Sequence, residues 1–393
     1  MIPFVDLRAA HAEVADEVRQ GFDRVLLNTS FVQGPDVAAF EEEFAAFSGV
    51  PHCVGAGNGT DAIELALRAC LTPPPHTDVT PSEVILPANT FVATAEAVIR
   101  AGLRPVLADC DDEYLLLDPE AAASAVGPDT AAIIPVHLYG QQAPMAAVHD
   151  LATRHGLAVV EDAAQSQGSG QAGRPPVGLA ATSFYPGKNL GAYGEAGAVL
   201  TSSPALARAI RLLTGHGSEV KYQHETLGFN SRLDTLQAVV LRAKLKRLAH
   251  WNDLRRAAAD RYATLLSGIE GIRLPQTAPG NLHVWHLYVI RVPERDKVLA
   301  GLQDAGIQAQ IHYPVPIHLQ PAFRHLGHTP GDFPTTEKAA TEILSLPLHP
   351  PPPPPPPPPQ NPPHRPTNVF LPLHPHLTPT HQEQIAETLS TLL

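Results

Sequence analysis

The sequence predicts an α/β protein that has a large domain with a mainly parallel sheet and a smaller α+β domain at the C-terminus. From about residue 58 to about residue 213, apolar runs alternate with amphipathic helical stretches, as in a sheet covered by helices on both faces. Beyond Gly271 the pattern changes to an apolar run, VWHLYVIRV, followed by a single helix. We therefore expect a large domain with an N-terminal arm over residues 1–250 and a small domain over residues 251–393.

Each element of this fold follows from its local pattern. The predicted strands are short apolar runs that end at polar, Gly or Pro positions: 83–87, 104–109, 131–139, 157–162, 181–186 and 196–202. The predicted helices have apolar residues at spacings of three and four: 36–47, 61–71, 91–102, 118–126, 145–155, 204–213, 234–266 and 294–305. Because ligands of open α/β sheets bind beyond the carboxyl ends of the strands, we expect the site there.

A run of ten prolines, 350–359, interrupts the small domain. Such a run fits neither a helix nor a central strand, and it predicts a polyproline II insert at about 350–366. LPLHP occurs at 346–350 and again at 371–375, so one copy is predicted to fill a strand position while 351–366 loops out and is cut first by proteases. An exposed loop produced by repeat expansion is the favoured interpretation, and a ligand for a partner domain is the alternative.

The composition argues against several classes of partner. A net charge of −12 disfavours nucleic acid and anionic membranes, and no apolar run reaches the roughly 18 residues of a membrane span. The N-terminus has no signal-peptide pattern, and the cysteines, Cys53, Cys70 and Cys110, are scattered, so we expect a cytoplasmic protein. The histidines are dispersed without an HExxH motif, which predicts no metal site.

Three polar features follow apolar strands. In GAGNGTDAIELAL (55–67), a Gly-rich turn precedes Thr60 and Asp61 at a helix start, where backbone N–H groups hold phosphate well. In VVEDAAQSQGS (159–169), Asp162 ends a strand and is either a helix cap or a carboxylate that faces a positive nitrogen.

The third feature is Lys188 in SFYPGKNLGAYGEAGAV (183–199), the first lysine of a chain that otherwise favours arginine. A desolvated lysine loses its proton and forms an imine, whereas arginine does neither. An imine-forming amine, an acid and a phosphate site together predict pyridoxal 5′-phosphate (PLP) as the cofactor.

Longer stretches identify a family. GNGTDAIELALRA, PANTFVATAEAV, VVEDAAQSQGS, SFYPGKNLGAYGEAGAV, GFNSRLDTLQAVVLRAKL and IHYPVPIHLQPAF resemble the DegT/DnrJ/EryC1/StrS family of sugar aminotransferases. The resemblance spans Met1 to about Pro350 and resumes at about Leu371. It implies the PLP-dependent transferase fold type I, that of aspartate aminotransferase.

The resemblance also implies roles for individual residues. Lys188 would bond covalently to PLP and then move protons as a base, and Asp162 would pair with the pyridinium nitrogen. Asn230 would reach the phosphate of the neighbouring subunit, which implies a homodimer with shared active sites. The cofactor-binding set is Gly59, Thr60, Asp61, Phe91, Asp162, Gln165, Ser183, Lys188 and Asn230, and the candidate substrate-binding residues are Arg232, His312 and Tyr313.

The reaction that the resemblance implies is transfer of an amino group from L-glutamate to a nucleotide-linked keto-deoxysugar. The C3 keto group of a dTDP-3-keto-6-deoxyhexose is favoured, in amino-sugar biosynthesis for an antibiotic or a surface glycan. The alternatives are a C4 ketosugar enzyme, a cyclitol or aminobenzoate-type member, and a non-catalytic PLP-binding regulator. Dehydratase relatives have His at the lysine position, so Lys188 argues against that class.

Overall fold

The computed structural model describes residues 1–71, 82–172, 177–349 and 377–393. The α-helices in these ranges are α1 Leu7–Asn28, α2 Pro35–Ser48, α3 Gly59–Leu71, α4 Val92–Arg100, α5 Pro119–Ser124, α6 Met145–His155, α7 Pro204–Thr214, α8 Thr235–Leu266, α9 Arg295–Asp304, α10 Pro334–Glu342 and α11 Pro379–Leu392. Short 3₁₀ helices lie at Leu138–Gly140, Ile317–Leu319 and Pro321–Leu326. Of the helices in the described ranges, none combines the length and the apolar character needed to span a bilayer.

The strands form a central sheet and small additional pairs. They are β1 His52–Ala56, β2 Glu83–Pro87, β3 Arg104–Ala108, β4 Thr130–Ile133, β5 Ala158–Val159, β6 Glu161–Asp162, β7 Gly170–Gln171, β8 Leu179–Ser183, β9 Gly197–Thr201, β10 Asn281–Leu282, β11 Tyr288–Arg291 and β12 Ile343–Leu346. Two runs, β1-β9-β8-β6 and β3-β2-β4-β5, join because Asp162 N–H donates to the Pro135 carbonyl at 2.9 Å and Val160 N–H donates to the Ile133 carbonyl at 3.1 Å.

The sheet is mainly parallel, as the sequence predicts. Among the described strands of this sheet, β9 runs antiparallel to both of its neighbours, and the other pairs are parallel. Side chains of β2 alternate between two cores: Val84 and Leu86 pack in one apolar cluster and Ile85 packs in another. Helices therefore cover both faces, and the parallel strands end together at one edge.

The predicted helices are present, with ends that differ by a few residues. The strand predicted over 131–139 is too long: it ends at Ile133, and beyond Pro135 only an isolated bridge joins Val136 to Asp162. Pro135 has no N–H to donate to the ladder. Helix α1 and strand β1 were not predicted, although α1 buries Val14, Val18 and Val25 on one face, which is a helical spacing.

The small domain packs around the second half of α8. The ring of Tyr262 in this helix packs against that of Tyr288 of β11, with centroids 5.0 Å apart and planes tilted by 33°, and β11 pairs with β12. Helix α8 runs unbroken through residue 250, so the predicted domain boundary lies inside a helix. The N-terminal strand segment also joins the small domain, because Ile2 bridges to Ile307.

The first LPLHP copy lies in the small domain. Leu346 ends β12, Leu348 is buried, and His349 Nδ1 accepts a hydrogen bond from Leu377 N–H at 3.4 Å. Residues 349 and 377 therefore lie next to each other in the small domain. The second copy, the predicted polyproline II run and the predicted protease-sensitive loop lie outside the described residues.

Deleting residues 351–366 is expected to leave the melting temperature almost unchanged. The free energy of closing a loop depends weakly on its length, by roughly 0.6 kcal/mol per doubling, and both residues of the closing contact remain. Thermal denaturation checks this. His349→Ala serves as the comparison, because it removes the acceptor of the Leu377 N–H. A deletion that destabilises more than His349→Ala contradicts the prediction.

Candidate active site

A cavity of about 1000 Å³ opens where the parallel strands of the central sheet end. Its floor includes Asp162 at the end of β6 and Ser183 at the end of β8. The small domain contributes His312 and Leu348 to the wall, and the N-terminal segment contributes Phe4, which stacks on His312 with ring centroids 5.5 Å apart. The cavity therefore lies between the two predicted domains, at the position expected for an open α/β sheet.

Asp162 is a buried carboxylate, with 6% of its surface exposed. Its Oδ2 accepts a hydrogen bond from Thr94 Oγ1 at 2.8 Å, and its Oδ1 accepts one from Ala164 N–H at 3.1 Å. Thr94 lies in the first turn of α4 and is not among the residues predicted from the sequence. Two donors leave carboxylate lone pairs available for a further donor in the cavity.

Lys188 follows β8 in a tight turn, and its N–H donates to the Tyr185 carbonyl at 2.8 Å. Burial lowers the pKa of its amine to about 8, and the nearby Asp162 charge partly opposes that shift. A substantial fraction of this amine is therefore neutral near physiological pH, as a nucleophilic lysine requires.

The start of α3 meets the end of β8 at close range. A methyl group on Gly59 would lie 2.5 Å from Cβ of Ser183, so only glycine fits at this position. Gly59, Thr60 and Ser183 line the cavity together. The first turn of a helix has unpaired N–H groups that attract an anion, and this corner is therefore suited to a phosphate.

Asp61 does not line the cavity, although it lies in the same turn. Its carboxylate accepts hydrogen bonds from Ser231 Oγ and from the Arg100 guanidinium, both at 2.8 Å. Its backbone N–H donates to Asn58 Oδ1 at 2.8 Å. The side chain thus ties α3 to α4 and to the segment before α8.

Gln165, Tyr313 and Phe91 form the opposite side of the cavity. Gln165 Oε1 accepts a hydrogen bond from Tyr139 N–H at 2.6 Å, and its Nε2 donates to the Tyr313 hydroxyl at 3.1 Å. The rings of Phe91 and Tyr313 lie 5.1 Å apart, and Phe91 is half exposed. Burial raises the pKa of Tyr313, so this hydroxyl stays protonated.

Besides Asp61, two more of the predicted site residues, Asn230 and Arg232, lie outside this cavity. Asn230 is exposed and forms a bridge with Gly215, and Arg232 follows it before α8. Arg232 Nε is buried and has no hydrogen bond within the described part of the chain. Within one chain, neither residue lines the cavity that holds Lys188.

The cavity wall also contains three basic residues that were not predicted: Arg100, which pairs with Asp61, and His286 and Arg255. His286 Nδ1 lies 3.2 Å from Asn189 Oδ1, and burial together with the charges of Lys188 and Arg255 lowers the pKa of His286 well below its usual value. His286 lies in an irregular stretch before β11, and Arg255 is one of three arginines in one turn and a half of α8, so neither had a distinctive sequence signal.

Comparison with known proteins identifies the family to which this chain belongs. The family model of the DegT/DnrJ/EryC1/StrS aminotransferase family matches residues 12–351. The chain belongs to this family. Its members are PLP-dependent aminotransferases, and this chain is such an enzyme.

Relatives of this DegT/DnrJ/EryC1/StrS aminotransferase are similar over most of their length. The Saccharopolyspora erythraea protein named erythromycin biosynthesis sensory transduction protein EryC1 is 48% identical, over 89% of this chain and 94% of that protein. The dTDP-3-amino-3,4,6-trideoxy-α-D-glucose transaminase of Streptomyces venezuelae is 44% identical, over 89% and 91%. The crystal structure of S. venezuelae DesV aligns with a TM-score of 0.88 at 40% identity, over 99% and 98% of the two chains.

The residues of the cavity fit PLP. The cofactor requires an amine, an acid for its ring nitrogen and an anion site. The amine is Lys188, whose pKa is lowered, and the acid is the buried carboxylate of Asp162. The anion site is the corner between Gly59 and Ser183, where a side chain at position 59 would clash with Ser183.

In the cofactor-free protein, the rate of chemical modification of Lys188 is expected to rise with pH, because only the neutral amine reacts. The midpoint of this rise should lie at about pH 8, the pKa of the amine. Asp162→Asn removes a negative charge that stabilises the protonated amine, so the midpoint should move to lower pH. Reductive methylation with formaldehyde, read by peptide mass spectrometry, measures both midpoints, and exposed Lys221 serves as an internal reference.

Glu195→Gln is the matched control, because Glu195 also lines the cavity but is not among the groups that shift the pKa of Lys188. A midpoint for Lys188 near that of Lys221 would contradict the lowered pKa of Lys188. A shift to higher pH in Asp162→Asn would contradict the effect of the Asp162 charge on this amine.

Proposed function

We propose that the enzyme transfers an amino group from L-glutamate to the C3 keto group of a dTDP-linked 3-keto-6-deoxyhexose. The reaction would serve amino-sugar biosynthesis, for an antibiotic or a surface glycan, in the cytoplasm. The observation that carries the catalytic part of this proposal is the partly neutral Lys188 amine beside the buried Asp162 carboxylate. The substrate part is supported by the 44% identity to a transaminase named for a dTDP-3-amino sugar.

The size and lining of the cavity support a sugar nucleotide as substrate. About 1000 Å³ exceeds what an amino acid alone requires, and the exposed rings of Phe91 and Tyr185 lie at its wall. Pockets that bury a ligand of nucleotide size commonly have several hundred to about 1000 Å³. PLP would take part of this volume, and the remainder would be available to the sugar and its nucleotide.

In the proposed mechanism the chain positions PLP and moves protons. When bound, PLP supplies an aldehyde that bonds to amines and a ring that accepts electrons from the adjacent carbon. Asp162, fixed by Thr94 and by Ala164 N–H, holds a proton on the ring nitrogen. Lys188 would bond covalently to the cofactor and, when its amine is free, would act as the base that takes up and returns the proton of the donor. Thr60 and Ser183 hold the phosphate.

Three residues near the ring complete the proposed site. Gln165 positions the ring hydroxyl while its amide is braced by Tyr139 N–H and by Tyr313. Phe91, which lines the cavity, would contact the ring. His312, whose pKa is lowered to about 4 by burial and by the Lys188 charge, stays neutral and contacts the sugar at the rim.

In two of the alternatives a different molecule accepts the amino group, and in the third the protein binds PLP without catalysing a reaction. A C4 ketosugar or a cyclitol or aminobenzoate-type acceptor would use the same Lys188 chemistry. A non-catalytic regulator is suggested by the names of two relatives, the sensory transduction protein EryC1 and a pleiotropic regulatory protein of Geobacillus stearothermophilus. The cavity that contains Lys188, Asp162 and the glycine at position 59 favours catalysis.

We further propose a homodimer in which each subunit completes the other's site. Asn230 and Arg232 lie outside their own cavity, and the same segment carries the large exposed side chains Tyr222 and Leu227, with 82% and 87% of their surfaces accessible. Apolar residues this exposed are typical of a contact surface. A second copy would cover them and bring Asn230 to the phosphate.

The substrate proposal is tested by single-turnover amine transfer. Protein first loaded with amine from L-glutamate is mixed with 3-keto and 4-keto sugars linked to dTDP or UDP, and dTDP-3-keto-6-deoxyhexoses are expected to react fastest. Lys188→Ala should slow transfer by at least about 100-fold, because the base is lost.

Lys188→Arg is the charge-preserving control and should be equally impaired, because a guanidinium neither forms an imine nor releases a proton. Faster reaction of a 4-keto sugar would refute the assigned position, and undiminished transfer by Lys188→Ala would refute the role of Lys188.

The shared-site proposal is tested by mixing inactive subunits. Lys188→Ala and Asn230→Ala homodimers are each expected to have low activity. After joint unfolding and refolding, hybrid dimers contain one cavity with both Lys188 and the partner's Asn230, so activity should exceed that of either parent. Hybrids made from Lys188→Ala and Lys188→Arg subunits are the control. No gain with the first pair would show that each site is built from a single chain.

A further inference from the structure

Arg255 is the unusual member of the buried arginines. Arg291 pairs with Asp112 and Glu342, and Arg295 pairs with Asp296. Arg255 is only 9% exposed, yet no carboxylate in the described part of the chain pairs with it. Burying an arginine without a counter-ion is costly, which calls for an anion that arrives from outside the chain.

The guanidinium of Arg255 is fixed through one nitrogen. Nη1 donates to the Leu348 carbonyl at 2.8 Å and to the Trp285 carbonyl at 3.4 Å. Nε has no hydrogen bond, and among the described residues none is formed by Nη2. Burial lowers the pKa of Arg255 to about 10, so it remains charged at neutral pH. The side chain thus presents an oriented, unneutralised positive charge in the cavity wall.

Hydrogen bonds fix the segment of Arg255 relative to that of Lys188. Asn189, the residue after Lys188, donates from Nδ2 to Asn252 Oδ1 and to the Val284 carbonyl, both at 2.9 Å. Asn252 and Arg255 are three residues apart and lie on one face of α8. The ring of His286 contacts Asn189, and the positive charges of Lys188 and Arg255 both lower the pKa of His286.

We propose that Arg255 binds a carboxylate of the amino-acid donor. This inference rests on the proposed function, because it concerns the amine donor of that reaction. A carboxylate lies within a few bonds of the amine that must reach the position of Lys188, and a guanidinium is a strong hydrogen-bonding partner for it.

A nucleoside diphosphate fits this place less well. Arg255 is anchored to the carbonyls of Trp285 and Leu348, and among the described residues no cation–π contact joins it to the exposed rings of Phe91 and Tyr185. The other arginine of the wall, Arg100, is already paired with Asp61 and Glu64. His286 and His312 have lowered pKa values and are neutral. Arg255 is therefore the charge available to a donor carboxylate.

The test measures the two half-reactions separately by stopped-flow absorbance of the cofactor. In Arg255→Gln the apparent Kd for L-glutamate should rise about 10- to 100-fold, the loss expected for a hydrogen bond to a charged group. The half-reaction with the sugar nucleotide should change by less than about threefold. Binding of glutarate, a dicarboxylate without an amine, gives a readout that does not depend on turnover and should weaken in parallel.

Two further variants keep the test decisive. Arg256→Gln is the matched control, because Arg256 is the next residue of α8 and pairs with Asp253. Arg255→Lys retains the charge but loses the planar guanidinium that binds a carboxylate through two N–H groups, so it should also weaken the binding of L-glutamate. This variant decides the question if Arg255→Gln does not fold.

Equal losses in both half-reactions would overturn the proposal, because they would indicate a packing role. A loss confined to the sugar-nucleotide half-reaction would overturn it in favour of diphosphate binding. If no sugar nucleotide accepts the amine, the proposed acceptor is refuted, while the L-glutamate and glutarate measurements still decide the role of Arg255.

Discussion

The buried carboxylate of Asp162 is the constraint around which the rest of the site is arranged. A charge at the end of a central strand is stable only if donors satisfy it, and Thr94 and the N–H of Ala164 do so. The same charge opposes the loss of the proton from Lys188, while burial promotes that loss. The pKa of about 8 reflects these two effects, so the reactivity of the lysine depends on a residue of a neighbouring strand.

Helix α8 couples this chemistry to the small domain. Its first half packs on the large domain, where Ala238 and Leu241 share a core with Phe184. Its second half carries Tyr262 into the small-domain core. Asn252 lies between these halves and binds Asn189, the neighbour of Lys188. A rigid helix therefore sets the distance between the turn that holds the lysine and the wall that contains Arg255 and His286.

Much of this arrangement could be predicted from the sequence. The parallel sheet, the long helix, Asp162 at a strand end and Lys188 just after a strand follow from local apolar patterns and glycine-rich turns. Ser183 ends β8, whereas the local pattern put it inside a strand over 181–186. His286 and Arg255 could not be predicted, because only tertiary contacts bring an irregular segment and the middle of a helix into the cavity. Asp61 was predicted to bind the phosphate because of its place in the motif. In the structure its carboxylate accepts hydrogen bonds from Arg100 and Ser231. Local sequence does not tell which side of a turn a side chain will use.

The contact between His349 and Leu377 has a consequence for how this gene evolves. The two residues close the fold on either side of the proline-rich segment, so folding places little demand on the number of residues between them. Codons for repeated proline can then be gained or lost in whole units without a large change in protein stability. We therefore expect selection for stability to act weakly on the length of this segment, and the repeated LPLHP is a pattern that duplication would produce.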